Sequence, residues 1–506
     1  MTDDARSTAP TLAAPPDAPA PDAAPGDRSA EEFRAAAHRA VDWMADYIGG
    51  GVERLPVLSR AEPGALRQAL PPAPPAHGEP LATMLDDFER LVLPGVTHWN
   101  HPGFFAYFAI TGSAAGVLGE MLTAALNVNA MLWRTSPSAT ELEEHALDWL
   151  RQLMGLGDGW FGIITDTASI SSLLAIAAAR EARPALAVRE RGLAARPELP
   201  RLRVYTSAHS HSSVDKAAIT LGLGHENVVH VPVDEHFRMR ADALAALIEA
   251  DVAQGFLPLA VVATVGTTST TSVDPVPAIA RICRQHDMWL HVDGAYGGVA
   301  GLVPELRHLL DGVDGADSLV VNPHKWLFTP VDCSAFFTRR PEVLKRAFSL
   351  VPEYLVTTAP DAVVNYMDYG VQLGHRFRAL KLWRVIRAFG SEGLAERIRY
   401  HCQLAREFAG WVDEDLDWER LAPTPLSVVC FRYAPAGTSG QERNALNASI
   451  LERVNANGRV YLSHTRLGDA YTLRLAVGNL RTERRHVAEA WAELRSAAAQ
   501  RTTGAL

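Results

Sequence analysis

Two short motifs contain the residues best suited to chemistry. His291-Val292-Asp293-Gly294-Ala295-Tyr296 supplies an aspartate, and Asn322-Pro323-His324-Lys325-Trp326 supplies a lysine, each after an apolar, strand-like run. A lysine amine can form a Schiff base with the aldehyde of pyridoxal phosphate (PLP), and a carboxylate can keep the pyridine nitrogen protonated so that the ring accepts electrons. Alone, such a lysine is usually a surface residue and such an aspartate a hydrogen-bonded core group. Together, Lys325 and Asp293 indicate a PLP site.

A phosphate-binding turn is the next requirement. The run 163–169 ends an apolar strand-like segment and opens an alanine-rich helical segment at 173–182. The free N–H groups at a helix start, with small hydroxyl side chains beside them, suit an anion. Thr167, Ala168 and Ser169 are therefore phosphate candidates, although Thr167 or Ser169 could equally be an ordinary helix cap.

A histidine and serine cluster, Ala-His-Ser-His-Ser-Ser at 208–213, follows the strand-like run 204–206. A lone histidine is more often a satisfied polar group than a catalyst. At the carboxyl end of a strand, however, the ring could stack over the pyridine. We expect His211 to do so, and not His209.

A small, hydroxyl-rich loop from Thr264 to Asp274 follows another apolar strand. Its glycine allows close backbone approach. Thr268 could hydrogen-bond the cofactor or orient Asp293. Asp274 could act behind Asp293 or be a turn residue before a proline.

The elements that must position these residues alternate between strands and helices from about 115 to 385. Seven runs have strand character: 162–165, 203–207, 228–233, 259–264, 289–292, 318–322 and 333–338. This alternation predicts an α/β fold with a mainly parallel sheet. Such sheets bind ligands beyond the carboxyl ends of their strands, where Asp293 and Lys325 fall.

The flanking segments differ in composition. The Ala/Pro-rich start has almost no large apolar residues and cannot offset the entropy of ordering, whereas Ser29-Ala30-Glu31-Glu32 has the pattern of a helix start. Strands are expected near 427–432 and 471–476 in a helical C-terminal part. We predict a disordered tail at 1–28, an N-terminal helical arm at 29–113, a large PLP-binding domain at 114–385 and a small α+β domain at 386–506.

Composition narrows the function. The formal net charge of -10 disfavours nucleic-acid or anionic-membrane partners, which need a basic face. No stretch is long and apolar enough to span a bilayer, and the start lacks the basic and apolar pattern of a signal peptide. The four cysteines are scattered without metal-ligand spacing, so we expect reduced thiols, no bound metal and a cytoplasmic protein.

Several motifs resemble those of the group II PLP-dependent decarboxylases, most closely the aromatic-L-amino-acid decarboxylases. The Asn-Pro-His-Lys-Trp motif is specific for the wider group, and Pro-Gly-Val-Thr-His-Trp at 94–99 points to the aromatic branch. The likeness covers all but the N-terminal tail. Its other elements are Phe-Phe-Ala-Tyr-Phe at 104–108, Ser-Pro at 136–137, Thr-Glu-Leu-Glu at 140–143, the His/Ser cluster and His-Val-Asp at 291–293.

The resemblance implies PLP fold type I, similar to aspartate aminotransferase, and an obligate homodimer with active sites at the interface. It implies that Lys325 is the Schiff-base lysine, that Asp293 pairs with the pyridinium and that His211 stacks on the ring and meets the substrate carboxylate. Ala295 would pack on the opposite ring face. Thr268 and Asp274 would support Asp293. The phosphate would be bound by Thr167, Ala168, Ser169, Asn322 and His324.

The implied reaction is decarboxylation. The substrate amine displaces Lys325. The bond to the carboxylate then breaks, and its electrons pass into the ring. The resulting quinonoid is protonated to give the amine. Tyr354, in Val-Pro-Glu-Tyr-Leu at 351–355, matches the proton-donor tyrosine of the family's mobile loop. Relatives that make aldehydes replace this tyrosine by Phe, or the stacking histidine by Asn. Because Tyr354 and His211 are both present, the chain resembles a true decarboxylase.

The resemblance also suggests an aromatic substrate. Trp99, Tyr107 and Phe108 match aromatic pocket residues, and Gly374 matches a position where glycine leaves room for a larger ring. The chain departs from the family pattern at two places, which are Ala109-Ile110, in place of a Pro-Thr pair, and Asn129 with Met131. Asn129 could hydrogen-bond a polar ring substituent or face away from the ligand.

Four alternatives compete with this interpretation. They are an oxygen-dependent aromatic acetaldehyde synthase on the same scaffold, a decarboxylase of a non-aromatic amino acid, an aminotransferase and a PLP-fold protein without activity. An aminotransferase would need an arginine for the α-carboxylate. Arg474 falls late enough in the chain to be considered, but the Asn-Pro-His-Lys-Trp arrangement fits that reaction poorly. An inactive scaffold would more plausibly have lost Lys325 or Tyr354.

Overall fold

The computed structural model of the chain describes residues 27–350 and 363–500. It divides into two compact units. The first takes in the described residues up to Tyr47 together with Ala61–Gly95, and the second takes in Ile48–Arg60 together with the described residues from Val96 onward. The boundaries predicted at 113 and 385 both fall inside the second unit and stay predictions.

The described residues form fifteen α-helices and eleven strands. The helices are α1 Ala30–Ile48, α2 Ala65–Ala69, α3 Leu81–Asp87, α4 Ala114–Leu126, α5 Pro137–Met154, α6 Ala168–Glu181, α7 Val188–Arg191, α8 Ser213–Thr220, α9 Ala241–Ala253, α10 Val276–Gln285, α11 Pro323–Trp326, α12 Pro341–Phe348, α13 Ala379–Glu414, α14 Gly440–Ala456 and α15 Arg484–Ala499. The strands are β1 Phe161–Thr165, β2 Leu202–Ser207, β3 Val228–Val231, β4 Leu257–Thr264, β5 Trp289–Asp293, β6 Ser318–Val321, β7 Ser334–Thr338, β8 Trp418–Arg420, β9 Val428–Tyr433, β10 Ser463–Leu467 and β11 Ala470–Ala476.

The first unit is helical, as its sequence predicts. Ser29 accepts a hydrogen bond from the backbone N–H of Glu32 at 3.1 Å, which caps α1 as the sequence pattern indicates. On the apolar side of α1, Trp43 packs edge-on against Phe88 with ring centroids 5.0 Å apart. The helix α3 continues as a π-helical turn over Phe88–Val92.

A seven-stranded sheet forms the centre of the second unit, which confirms the predicted fold class. Its strand order is β1-β7-β6-β5-β4-β2-β3. β7 is antiparallel to both of its neighbours, and every other pairing is parallel. The central strands are buried on both faces and alternate between two cores: Val261 and Ala263 pack in one, Ala260 and Val262 in the other. Helices therefore cover both faces, as parallel sheets require.

A second, antiparallel sheet has the order β10-β11-β9-β8. Its two central strands, β9 and β11, match the strands predicted near 427–432 and 471–476. A separate core joins this sheet to α13 and its neighbours through Phe408, Phe431 and Trp491. The long helix α13 is interrupted at Gly390, whose φ of 64° lies in the left-handed region.

The parallel strands bring the chemistry-bearing residues to one edge of the large sheet. Thr264 ends β4 and Asp293 ends β5, and the two residues are paired in the ladder. Asn322 directly follows β6, and Lys325 lies in the single-turn helix α11 beyond it. No described helix is long and apolar enough to cross a membrane.

Candidate active site

A cavity of about 170 Å³ lies at this edge of the sheet. Its wall contains every residue that the sequence assigns to cofactor binding, from five separate segments of the chain. These residues are Thr167, Ala168, Ser169, His211, Thr268, Asp293, Ala295, Asn322, His324 and Lys325. Phe108, Thr264, Gly266 and Tyr296 complete the wall. The sequence motifs therefore converge on one site, although the role of each residue stays a prediction.

Lys325 and Asp293 face the same cavity from neighbouring strand ends. The buried carboxylate of Asp293 accepts a hydrogen bond from the backbone N–H of Ala295 at 3.0 Å, which fixes its orientation. Removal from water lowers the pKa of the Lys325 amine, an effect that the negative charge of Asp293 opposes and the positive charge of Arg474 reinforces. A lysine with a lowered pKa holds more of its amine in the neutral, nucleophilic form.

The start of α6 forms one end of the cavity. Thr167 occupies the N-cap position with extended backbone, but no side chain makes a capping hydrogen bond to this helix. Because the first N–H groups of a helix need partners outside the helix, this end of the cavity can accept an anion. The alternative that Thr167 or Ser169 is an ordinary cap is not what the structure has.

Asn322 and His324 add donors to the cavity. The Oδ1 atom of Asn322 accepts a hydrogen bond from the Ser334 hydroxyl at 2.6 Å, which leaves its amide NH2 available to a ligand. Nδ1 of His324 accepts from the backbone N–H of Cys333 at 3.0 Å. Burial, the largest cause, lowers the pKa of His324 to about 3. The neutral ring therefore carries its proton on Nε2 and offers a second donor.

His211 lies at the carboxyl end of β2, in the loop that leads into α8. Its Nδ1 accepts a hydrogen bond from the backbone N–H of Ser213 at 3.1 Å. Partial removal from water is the main reason that the pKa of His211 is lowered. The neutral ring consequently carries its proton on Nε2, which makes it a hydrogen-bond donor suited to a carboxylate.

The loop after β4 approaches the loop after β5 very closely. Gly266 has a φ of +89°, and a Cβ there would lie 3.0 Å from the backbone nitrogen of Gly297. A Cβ on Gly297 would lie 2.5 Å from the carbonyl oxygen of Val265. Only glycine fits both positions, so the loops that follow the two strands pack directly against each other.

Asp274 is buried behind this loop. Its two carboxylate oxygens accept hydrogen bonds from the backbone N–H groups of Thr264 at 2.8 Å and Met239 at 2.7 Å. Burial is the largest cause that raises the pKa of Asp274 to about 6. Asp274 therefore anchors the end of β4, where Thr264 is the ladder partner of Asp293.

Phe108 and Tyr296 bring an aromatic stack into the cavity wall. The Phe108 ring stacks on Tyr296 at 3.8 Å, and Tyr296 stacks on Trp326 at 4.6 Å. Trp326 in turn donates a hydrogen bond from Nε1 to Nδ1 of His401 at 2.9 Å. Phe108 thereby has a fixed position, with the Lys325 Nζ 5.2 Å from its ring centroid.

Arg474 holds the outer side of this stack. Its guanidinium carbon lies 4.7 Å from the Phe108 ring centroid. It donates to the carbonyl oxygens of Ser269, at 3.0 Å, and of Tyr107, whereas Nη2 has no hydrogen-bond partner among the described residues. These backbone contacts hold the guanidinium beside the Phe108 ring, which belongs to the cavity wall.

The other predicted substrate residues lie away from the cavity wall of the single chain. Trp99 stacks on Tyr107 with ring centroids 5.8 Å apart, and Ala109 is buried in a small cluster beside Phe104. Tyr107 itself is half exposed and has a positive φ of 53°. Phe108 is thus the one member of the predicted substrate set that reaches the cavity.

Asn129, Met131 and Gly374 form a third group. The side-chain Oδ1 of Asn129 accepts from the backbone N–H of His375 at 2.9 Å, and its side-chain amide nitrogen lies 3.4 Å from the sulfur of Met131. A Cβ on Gly374 would lie 3.9 Å from that nitrogen, an ordinary contact. Asn129 and Gly374 are exposed in the single chain. The Asn129 side chain therefore stabilises the backbone at 374–376.

Tyr354 lies outside the described residues.

Thr264, Gly266 and Tyr296 are wall residues that the sequence analysis did not assign. Thr264 and Gly266 belong to the loop that supplied Thr268, and Tyr296 ends the motif that supplied Asp293, so adjacency to a predicted residue was the available signal. The buried hydroxyl of Thr264 has no hydrogen-bond partner among the described residues, which fits a ligand-facing position.

Comparison with known proteins identifies relatives over nearly the whole chain. The sequence profile of the pyridoxal-dependent decarboxylase conserved domain matches residues 63–434. A phenylacetaldehyde synthase of a Rosa hybrid cultivar is 40% identical over 479 residues, which are 91% of this chain and 92% of the relative. Tyrosine decarboxylase 4 of Petroselinum crispum is 40% identical over 475 residues, with the same shares. The crystal structure of Oryza sativa TDC with PLP and tryptamine has a TM-score of 0.89 and 36% identity, and the alignment covers 94% of this chain and 99% of that one.

Proposed function

Because this chain belongs to the pyridoxal-dependent decarboxylase family, in its aromatic amino acid branch, we propose that it converts an aromatic L-amino acid into the arylalkylamine and carbon dioxide. The chain is a carboxy-lyase and its cofactor is PLP. The observation that carries the substrate class is the wall of the cavity. There the Phe108 ring is held 5.2 Å from the Lys325 amine by a stack of buried aromatic residues.

The wall of the cavity fits PLP. When bound, PLP supplies an electron sink for the pair left behind as the carboxylate departs. Lys325 would hold the cofactor's aldehyde carbon and Asp293 its pyridine nitrogen. The start of α6, with the free donors of Asn322 and His324, would hold the phosphate.

His211 positions the group that leaves. Its neutral ring, with the proton on Nε2, would donate a hydrogen bond to the α-carboxylate of the substrate. Such a contact orients the bond that breaks relative to the ring beneath it, and orientation is worth several kcal/mol in reactions of this kind. The requirement for a neutral His211 predicts that activity falls when this ring is protonated at low pH.

Tyr354 would supply the final proton to the substrate's Cα. This step separates two outcomes on the same scaffold, because a carbanion that is not protonated can react with oxygen. The relatives at 40% identity include both a tyrosine decarboxylase and a phenylacetaldehyde synthase, which makes the oxygen-dependent aldehyde synthase the second candidate. The presence of Tyr354 and His211 favours the decarboxylase.

We infer that a second copy of the chain supplies the second part of the substrate pocket. Asn129, Met131 and Gly374 do not line the cavity of their own chain, yet they match the family's substrate residues. The outer face of α4, which immediately precedes Asn129, exposes large apolar side chains, namely Leu118, Met121, Leu122 and Leu126. We propose a homodimer in which this region meets the partner's cavity. We also propose a cytoplasmic location, which the four unpaired and buried cysteines fit.

The test is product analysis by mass spectrometry. Purified protein with PLP is given phenylalanine, tyrosine, dopa, tryptophan, 5-hydroxytryptophan, histidine and glutamate in air, with Lys325→Ala as the inactive control. Aromatic amines and carbon dioxide are the expected products and would identify the substrate. Aldehydes with hydrogen peroxide would replace the proposal by the synthase. A product from glutamate alone, or no product, would overturn the aromatic assignment.

A further inference from the structure

Three side chains from consecutive elements meet at the surface beside β3. Asp215 lies in the first turn of α8, His225 in the 3-10 turn at His225–Asn227 and His230 in β3. The Oδ1 atom of Asp215 is 3.1 Å from Nε2 of His230 and 3.2 Å from Nε2 of His225. Among the described residues, this is the one group of three His, Cys, Asp or Glu residues whose ligand atoms all lie within 4.8 Å of one another.

The separations suit a tetrahedral metal ion. Zinc binds imidazole nitrogen at about 2.0–2.1 Å and carboxylate oxygen at about 2.0–2.2 Å, so two such ligands at a tetrahedral angle are about 3.4 Å apart. The two distances measured here, 3.1 and 3.2 Å, are slightly shorter. Both imidazoles are exposed, with side chains 67% exposed for His225 and 41% for His230, so they can move to the separation that an ion requires.

The scaffold around the group is well anchored. His230 is paired with Thr206 in the parallel ladder between β2 and β3. The turn that carries His225 is closed by Asn227, whose side-chain amide donates to the carbonyl oxygen of Leu223 at 2.7 Å. The Asp215 side chain is only 18% exposed, so the carboxylate forms the base of an open, three-ligand site.

We propose that Asp215, His225 and His230 bind one divalent transition-metal ion, with zinc the best match, at a site separate from the PLP cavity. Two imidazoles and one carboxylate select ions such as Zn²⁺ or Co²⁺, whereas Mg²⁺ and Ca²⁺ prefer oxygen ligands. The ion would join α8 to β3. Since α8 begins two residues after His211, metal binding would also stiffen the helix that follows the active-site loop.

The competing interpretation is a pair of hydrogen bonds from the two imidazoles to one carboxylate oxygen. In that case each Nε2 carries a proton and no ion is held. The two interpretations use the same atoms, so the distances alone do not separate them. Direct measurement of metal binding does.

The experiment uses the chelator-treated, PLP-loaded protein, with Zn²⁺ or Co²⁺ added alone. Isothermal titration calorimetry should show one equivalent of Zn²⁺ bound. Co²⁺ should give tetrahedral d–d bands at wavelengths longer than those at which PLP absorbs, and excess Mg²⁺ should not displace it. The double variant His225→Ala/His230→Ala should lose affinity at least about tenfold, the loss already typical of removing an outer-shell partner of a metal ligand.

Two further variants make the result decisive. Asp215→Asn keeps an acceptor for the histidines but removes the anionic ligand, so it should also weaken binding. His236→Ala removes an exposed histidine that lies 3.8 Å from Glu235, a two-ligand pair, and should leave binding unchanged. The proposal is overturned if wild-type protein binds no single equivalent. It is equally overturned if the double variant binds as well as wild type, or if His236→Ala abolishes binding.

Discussion

Four buried histidines should make this protein sensitive to mild acid. Burial is the largest cause that lowers the pKa of His101, His291 and His401 to about 4, and that of His324 to about 3, from an ordinary value of 6.5. All four side chains are almost fully shielded from solvent. Folding therefore holds them neutral at pH values where the unfolded chain binds protons.

The sign and size follow from proton linkage. Above pH 6.5 both states are neutral at these positions and the stabilisation is complete. As the pH falls from 6.5 towards 4, the unfolded chain takes up as many as four protons that the folded protein does not. Each proton costs about 1.4 kcal/mol of unfolding free energy per pH unit, which gives about 5 kcal/mol per unit near pH 5.

Asp274 opposes this trend. Burial raises the pKa of its carboxyl to about 6 from an ordinary 3.8, so between pH 6 and 4 the folded protein holds one proton that the unfolded chain has released. As the pH falls, this proton stabilises the folded protein by about 1.4 kcal/mol per pH unit. The free energy of unfolding therefore decreases by a net amount of about 4 kcal/mol per pH unit. A typical stability of about 5–15 kcal/mol would then be exhausted within a few pH units.

The assay is urea unfolding, followed by tryptophan fluorescence at pH values from 8 to 5. His401→Gln should flatten the pH dependence by about 1.4 kcal/mol per unit, because an amide can accept from Trp326 but cannot be protonated. The matched control is His464→Gln, whose side chain is exposed and stacks on Tyr471; it should leave the slope unchanged. An unfolding midpoint that does not move between pH 7 and 5 would refute the reasoning.

Substitutions at three residues test the site and its supports. Tyr354→Phe should divert product from the amine to the aldehyde and hydrogen peroxide, measured by mass spectrometry and a peroxide assay; unchanged amine yield would exclude Tyr354 as the proton donor. Glu143 is fully buried and accepts from the Ile164 N–H at 2.7 Å and the His375 ring at 2.8 Å. In urea unfolding, Glu143→Ala should therefore cost about 3–5 kcal/mol and Glu143→Gln about 1 kcal/mol, and equal losses would contradict this. Gly297→Ala should lower stability by about 1–3 kcal/mol and weaken PLP binding, whereas Gly410→Ala, with open space around it, should do neither.

The sequence predicted the large sheet because its signals are local. Each of the seven predicted runs corresponds to a strand, since a strand buried on both faces reads as a short apolar run. The residues that line the cavity could be predicted for the same reason. Asp293 and Lys325 directly follow such runs, and parallel strands end at one edge, so residues distant in sequence converge there.

Other features depend on contacts that no local pattern records. The short, polar strand β10 (Ser-His-Thr-Arg-Leu) has no apolar run to mark it. The stack of Phe108 on Tyr296 joins residues 188 positions apart. The sequence left two roles open for Asn129, a hydrogen bond to a substituent of the ligand ring or a side chain that faces away from the ligand. Only the fold shows that Asn129 accepts a hydrogen bond from the backbone N–H of His375.

Arg474 brings a positive charge close to Lys325. The sequence analysis considered this arginine only for the aminotransferase alternative. As an aminotransferase residue it would bind a carboxylate, yet its hydrogen bonds go to the backbone carbonyls of Ser269 and Tyr107 and its guanidinium covers the Phe108 ring. A buried cation without an acidic partner is costly. Its field, however, disfavours a second positive charge nearby and so contributes to the lowered pKa of Lys325. The neutral amine is the form that reacts. The buried charge of Arg474 therefore favours the reactive form of Lys325, although burying that charge is unfavourable for stability. An anionic cofactor in the neighbouring cavity, whose wall includes Phe108, would lower that cost further by bringing negative charge closer to the guanidinium.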